Sequence, residues 1–254
     1  MTALALCATW LAARFADTLR PATCVTEGCF CEAPLGGLLA QPVDAITSLA
    51  FIVLGAWTLG ARRGQPGPGT LEHRLVPIAG VILIIIGFGS FVYHATLSYV
   101  GQFLDVFGMY LLGTFLILGA LYRSGKVSFR LAAATFLEVN LVLAVVQYAV
   151  PDARRVLFAF LLIPGLVLES LPSTTGPATS GWRLRYLAPA FGLLVVAFAF
   201  WLVDQAGVVC DPAALWQGHG LWHLLTAIAA YLLVVHYAHT AHPDARAKEF
   251  TPTG

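Results

Sequence analysis

The sequence predicts an all-α polytopic membrane protein with seven transmembrane helices, the N-terminus outside and the C-terminus inside. Three observations carry that expectation. First, 59% of the 254 residues are hydrophobic and 11% are charged, whereas a soluble domain is nearer half apolar and about a quarter charged. Such an excess of apolar surface cannot be hidden inside one globule, so lipid is the expected solvent. Second, seven apolar runs approach or exceed the roughly 20 helical residues that cross a bilayer. Third, the lysines and arginines are distributed unequally between alternate connections.

The runs fall at about 42–60, 75–96, 102–122, 130–150, 154–171, 185–206 and 216–239. The fifth is the shortest. The breaks between them have turn chemistry: Arg62 to Gly69 with two prolines and three glycines, Arg123 to Lys126, Pro151-Asp152, and Pro172 to Pro177. No internal repeat is evident, which argues against an inverted-repeat transporter. With the N-terminus outside, the inner connections hold Arg62, Arg63, Arg74, Arg123, Lys126, Arg130, Arg183, Arg185, Arg246 and Lys248. The outer ones hold Arg14, Arg20, Arg154 and Arg155. Ten against four favours N-out, C-in. The domain organisation expected is an extracytoplasmic segment at 1–41, a seven-helix domain at 42–239 and a cytoplasmic tail at 240–254. The first fifteen residues are apolar but contain Trp10 and Arg14 and lack a basic start, which suits an interfacial helix or weak anchor better than a signal peptide. The net charge is +1, with no basic stripe, so nothing points to nucleic acid, and no protein partner is implied. The composition and short loops have a bacterial character, which would place the chain in an inner membrane.

Histidines mark the candidate chemistry. His94 ends the second run, and Ser90 lies four residues before it, on the same helical face. Asp105 opens the third run, and His219 and His223, also four apart, open the seventh. In the N-out topology all of these reach the outer end of the bundle, the periplasmic side. A histidine pair at i, i+4 plus a distant third is the ligand set of a catalytic zinc site with an open position. A lone interfacial histidine is commonly just hydrogen-bonded to a neighbouring helix; three at one depth beside an aspartate favour a metal. Asp105 would either accept a proton from zinc-bound water or hold a histidine ring. Ser90 would either donate to a developing oxyanion or, beside Gly87 and Gly89, serve as a small residue at a tight helix crossing. The five cysteines, Cys7, Cys24, Cys29, Cys31 and Cys210, form no C-x-x-C pair, so a thiolate zinc site is not expected. On the outer side, disulfides can persist. Glu138 and Glu169 are expected at the inner interface. Asp204, at the outer end of the sixth helix, would orient a zinc histidine. Trp201, Trp216 and Trp222 would form an outer aromatic belt, with Trp222 also beside the lipid entry.

Gly89-Ser90-x3-His94-x-Thr96-Leu97, Gln102-x2-Asp105 and His219-x2-Trp222-His223 together resemble the motifs of the alkaline ceramidases. These belong to a wider seven-helix hydrolase group that includes the adiponectin and progestin receptors. Cys31-Glu32, Phe200-Trp201-x2-Asp204 and Cys210 resemble family positions too, so the likeness spans about residues 29–240. It implies an intramembrane zinc amidase that cleaves a ceramide-like lipid, entering from the bilayer, into a long-chain base and a fatty acid. By that likeness His94, His219 and His223 are the zinc ligands, Asp105 handles the water proton, Ser90 steadies the transition state, and Cys31 pairs with Cys210. Cys24 and Cys29 either pair or stay free. Eukaryotic members also carry a calcium site before the first helix. Here Glu32, Gln41 and Asp44 are what remains of it, with Cys29, Ala33 and Pro34 where oxygen ligands would be needed, or else Glu32 and Asp44 are solvated or helix-capping acids. Calcium takes six or more oxygen ligands, so weak or absent calcium binding is expected. Two other readings stay open: a hydrolase of another lipid acyl bond, such as an ester, and a receptor-like membrane protein in which zinc only pins helices.

Overall fold

The computed structural model describes residues 20–26, 28–61, 71–171 and 180–240. The N-terminal apolar stretch, the Arg62–Gly69 and Pro172–Pro177 connections and the tail beyond Thr240 lie outside the described residues, as do the basic residues counted in them.

The described residues form seven helices and no strand. They are α1 (Pro42–Gly60), α2 (Leu71–Thr96), α3 (Tyr99–Arg123), α4 (Phe129–Ala149), α5 (Arg154–Ser170), α6 (Ser180–Gln205) and α7 (Gly218–Thr240). Their starts follow from local chemistry. Pro42, which has no amide to leave unsatisfied, sits in the first turn of α1. Ser98 caps α3 by accepting from Gly101 N at 3.1 Å, and Ser128 caps α4 by accepting from Leu131 N at 3.2 Å. A 3-10 turn at Pro151–Ala153 joins α4 to α5. Between α2 and α3 the chain reverses through Leu97, the non-glycine residue with positive φ among those described, at 45°. Its strain is offset by Ala22 N, which donates to Leu97 O at 2.8 Å, and by Leu97 N, which donates to Tyr93 O at 2.7 Å.

Six of the helices, all but α5, are long and apolar enough to cross a membrane. Their surfaces fit lipid. On α4 the buried residues are Asn140 and Gln147, whereas Leu137, Leu141 and Val145 are exposed. A helix that turns its amides inward and its leucines outward is inside-out for water and correct for hydrocarbon. These surfaces suggest an integral membrane protein.

Helices α1, α2 and α3 pack in sequence, α7 packs on α1, α2 and α6, and α5 packs on α3 with α4 at the periphery. Small residues permit the close crossings. A Cβ on Gly89 would lie 2.6 Å from the Leu104 carbonyl, and one on Gly108 would lie 2.9 Å from Ile86 Cα, so α2 and α3 approach backbone to backbone. Among the described residues, helices α5 and α6 do not pack extensively on each other. An apolar cleft of about 520 Å³ opens between them and reaches the first turns of α3 and α7.

At the opposite end of the bundle Glu169 is fully buried, not interfacial as the sequence suggested. It pairs with Arg123 Nη2 at 2.6 Å and accepts from the Tyr237 hydroxyl, and Arg123 Nη1 bonds His236 Nε2 at 2.9 Å. The physical reason is that α5 delivers the carboxylate to a cation on α3, and a paired charge is tolerated where a lone one is not. Removing one member leaves the other uncompensated. Glu169→Ala is expected to cost about 3–5 kcal/mol of stability, read as a lower Tm in detergent.

Candidate metal centre and its cleft

His94 closes α2, and His219 and His223 occupy the first two turns of α7. All three are buried, at 0%, 5% and 3% exposure, and their candidate ligand atoms lie within 4.8 Å of one another. His94 Nε2 and His219 Nε2 are 3.2 Å apart.

The ring orientations follow from their outer partners. Gln41 Nε2 donates to Glu32 O at 2.8 Å, and a carbonyl can only accept. The Gln41 oxygen therefore faces His94 Nδ1 at 2.9 Å, and that nitrogen must donate. Likewise His223 Nδ1 faces the Asp44 carbonyl at 3.0 Å, with Thr47 Oγ1 at 3.2 Å. Both rings are thereby fixed as Nδ1–H tautomers, with an unprotonated Nε2 whose lone pair could bind a metal. That is how metal-binding imidazoles are held. His219 is placed differently. Asp204 Oδ2 accepts its backbone N–H at 3.0 Å, and Oδ1 accepts Cys31 N at 3.1 Å. The sequence suggested that Asp204 orients a ring; instead it holds the start of α7, where amides lack helical partners. Gly218 permits this, since a Cβ there would meet the Asp204 Cβ at 2.9 Å. The His219 ring lies under Phe30, with centroids 3.7 Å apart.

Ser90 Oγ is 3.2 Å from His223 Nε2, and Asp105 comes close to Ser90 across the α2–α3 crossing. The close approach at Gly89 makes this possible, because its absent Cβ would collide with the Leu104–Asp105 peptide. Ser90, Asp105, His219 and His223 all line the cleft. Asp105 belongs to its wall rather than to the nitrogen cluster.

Glu32, Gln41 and Asp44 also meet here, in other roles. Glu32 Oε1 accepts from Val43 N at 2.8 Å and Oε2 from Asp44 N at 2.9 Å, so this carboxylate caps α1. Gln41 is engaged at both ends of its amide. Asp44, fully buried, keeps two oxygens without a hydrogen-bond partner, one of them 3.8 Å from His94 Nδ1. Among the described residues this set does not fit calcium, which needs six or more oxygens.

The segment before α1 is tied down by disulfides, Cys31–Cys210 and Cys24–Cys29. Phe30 stands between them, and Ala40 N and Gln41 N donate to Ala95 O and His94 O at 2.9 Å each. Sequence reasoning missed Phe30 and Thr47 and did not foresee that Gln41 faces the His94 ring. The sequence offers one signal for Thr47, its place at i+3 from Asp44 in the first turns of an apolar run. For Phe30 the signal was its position between two cysteines. Trp201 and Trp222 line the cleft, whereas Trp216 is exposed.

Three neutral nitrogen donors and an open side toward the cleft fit zinc. The outer partner of His94 gives a direct check. Gln41→Ala removes the Nδ1 acceptor and is expected to lower zinc affinity about 10–100-fold, measured by chelator competition.

An all-helical bundle clothed in apolar side chains, with a buried trihistidine group able to hold a metal at the head of a lipid-sized cleft, defines a membrane-embedded candidate metalloprotein. The sequence model of the Ceramidase family matches residues 30–251, and the chain belongs to that family of amide-bond hydrolases. It is also similar to an alkaline ceramidase from Drosophila melanogaster, 23% identical over 236 residues that cover 88% of this chain and 79% of the fly protein.

Proposed function

We propose that this protein is a zinc-dependent amidohydrolase that cleaves ceramide-like N-acyl lipids into a long-chain base and a fatty acid. One observation carries the reading: three buried imidazoles, two of them held as Nδ1–H tautomers, stand with Ser90 and Asp105 at the head of an apolar cleft. Zinc bound by His94, His219 and His223 would supply Lewis acidity and a water whose pKa falls to about 7. Asp105 takes the proton from the attacking water and returns it to the leaving nitrogen as the C–N bond breaks. The Ser90 hydroxyl donates to the carbonyl oxygen as it gains charge. The cleft holds the acyl chain and keeps bulk water out.

The chain crosses the membrane seven times in this reading, N-terminus outside, with the site near the outer face of a bacterial inner membrane. Segment 1–41 then lies outside and 240–254 inside. Helix α5, 17 residues and about 25 Å long, makes the short fifth crossing, and the gap between α5 and α6 admits substrate sideways from the bilayer. Calcium plays no part in the chemistry.

Two measurements test the reading. Metal analysis of the purified protein should find about one zinc per chain. Free fatty acid release from a panel of N-acyl and O-acyl lipids should favour the N-acyl set. Preference for O-acyl lipids would replace the amidase by an esterase. Zinc without release from any lipid would leave a receptor-like protein.

A further inference from the structure

Two arginines stand at the mouth of the cleft. Arg154 and Arg155 open α5 and both line it, together with Asp105 and Trp201. Arg155 reaches across the gap: its Nη2 donates to Gln205 Oε1 on α6 at 2.7 Å, and its guanidinium lies over Trp201, 5.2 Å from the ring centroid. Gln205 in turn donates to Cys29 O at 2.9 Å, so its amide oxygen is held toward Arg155. Arg154 Nη1 donates to Pro151 O at 2.9 Å and lies 3.5 Å from Asp152 Oδ1, on a side chain 90% exposed. Among the described residues, neither guanidinium is paired with a buried carboxylate. Both line the cavity.

The side of the bundle matters too. Only four of the fourteen Lys and Arg residues fall in connections assigned to the outer side. Topological retention of positive charge therefore does not account for two adjacent arginines there.

We propose that Arg154 and Arg155 form a headgroup subsite, and that the lipid cleaved here carries an anion, a phosphate or a carboxylate, close to its amide. This rests on the hydrolase reading. With the scissile amide at the histidines and the acyl chain in the apolar cleft, the remaining part of the substrate is left at the mouth, against α5. A guanidinium engages phosphate or carboxylate through paired, charge-assisted hydrogen bonds. Trp201 holds the Arg155 plane in place for that contact. The hydroxyls of an unmodified ceramide would use none of this charge.

The test compares fatty acid release from palmitoyl ceramide, palmitoyl ceramide 1-phosphate and N-palmitoylserine in one neutral maltoside detergent, so that surface charge is constant. At least one anionic substrate should exceed the neutral one about tenfold or more in kcat/KM, the scale of one charge-assisted hydrogen bond. Which one it is separates phosphate from carboxylate. In Arg155→Gln and Arg154→Gln that ratio should fall toward one, with Tm confirming a folded protein. Equal or better cleavage of the neutral ceramide by the parent overturns the proposal, as does a ratio unchanged in both variants. Binding gives a second readout that needs no turnover: quenching of tryptophan fluorescence by hexadecyl phosphate against hexadecanol. Tighter, arginine-dependent binding of the phosphate with no cleavage of any lipid would retain the subsite and remove the hydrolase. Equal binding of the two would remove the subsite.

Discussion

Asp105→Asn should slow fatty acid release by about 10²–10⁴-fold, the range of a lost general base, while the purified variant keeps its zinc. The geometry separates these two outcomes. Asp105 lines the cleft with Ser90, but it is not among the three nitrogen-bearing groups whose ligand atoms lie within 4.8 Å of one another. Asparagine has the same shape, so packing at the tight α2–α3 crossing is preserved. What it cannot do is take a proton from water. Single-turnover release with zinc content measured on the same sample reads both effects. Zinc lost together with activity would recast Asp105 as a support for the histidines, and undiminished release would end its role as a base.

His223→Ala should remove the metal itself. Apparent affinities for well-built zinc sites are about 10–16 kcal/mol, so losing one of three protein ligands costs about 3–5 kcal/mol, roughly a thousandfold in affinity. His223 is the ring most firmly held, by the Asp44 carbonyl and Thr47 on one side and by Ser90 on the other. Its loss therefore removes a donor atom whose position was fixed in advance. His236→Ala is the matched control. It too deletes a buried histidine from α7, but one that bonds Arg123 at the far end of the bundle. Zinc should vanish after brief dialysis against a chelator in the first variant and persist in the second. Equal retention in both would place the metal elsewhere.

Much of the fold was written in hydropathy. The seven runs match the seven helices to within a few residues, and three of the helices, α1, α3 and α4, begin at a proline or a serine cap that is local in the sequence. Partner choice was less legible. Glu169 looked interfacial because it sits at the end of a run. Its pairing with Arg123 and Tyr237 depends on which helices touch, which no period reveals. The candidate site divides in the same way. Ser90, His94, His219 and His223 stand out because polar and ionisable groups are rare in apolar runs and share a helical face at i, i+4. Gln41, Thr47 and Phe30 do not stand out, because they act on the rings across gaps of 53, 176 and 189 residues.

By itself, then, the sequence determined what each helix carries and at which end, since side-chain spacing and the cost of burying charge in lipid are local properties. Only the tertiary structure decided how those groups meet. Glycine contacts bring α2 onto α3 and Asp105 to Ser90. The disulfide-bound entry segment turns Gln41 onto His94 and Phe30 onto His219, and the gap left between α5 and α6 opens the cleft beneath them. Such meetings are set by the packing of whole helices against one another, a non-local balance in which a single missing Cβ lets two backbones approach by an ångström or more.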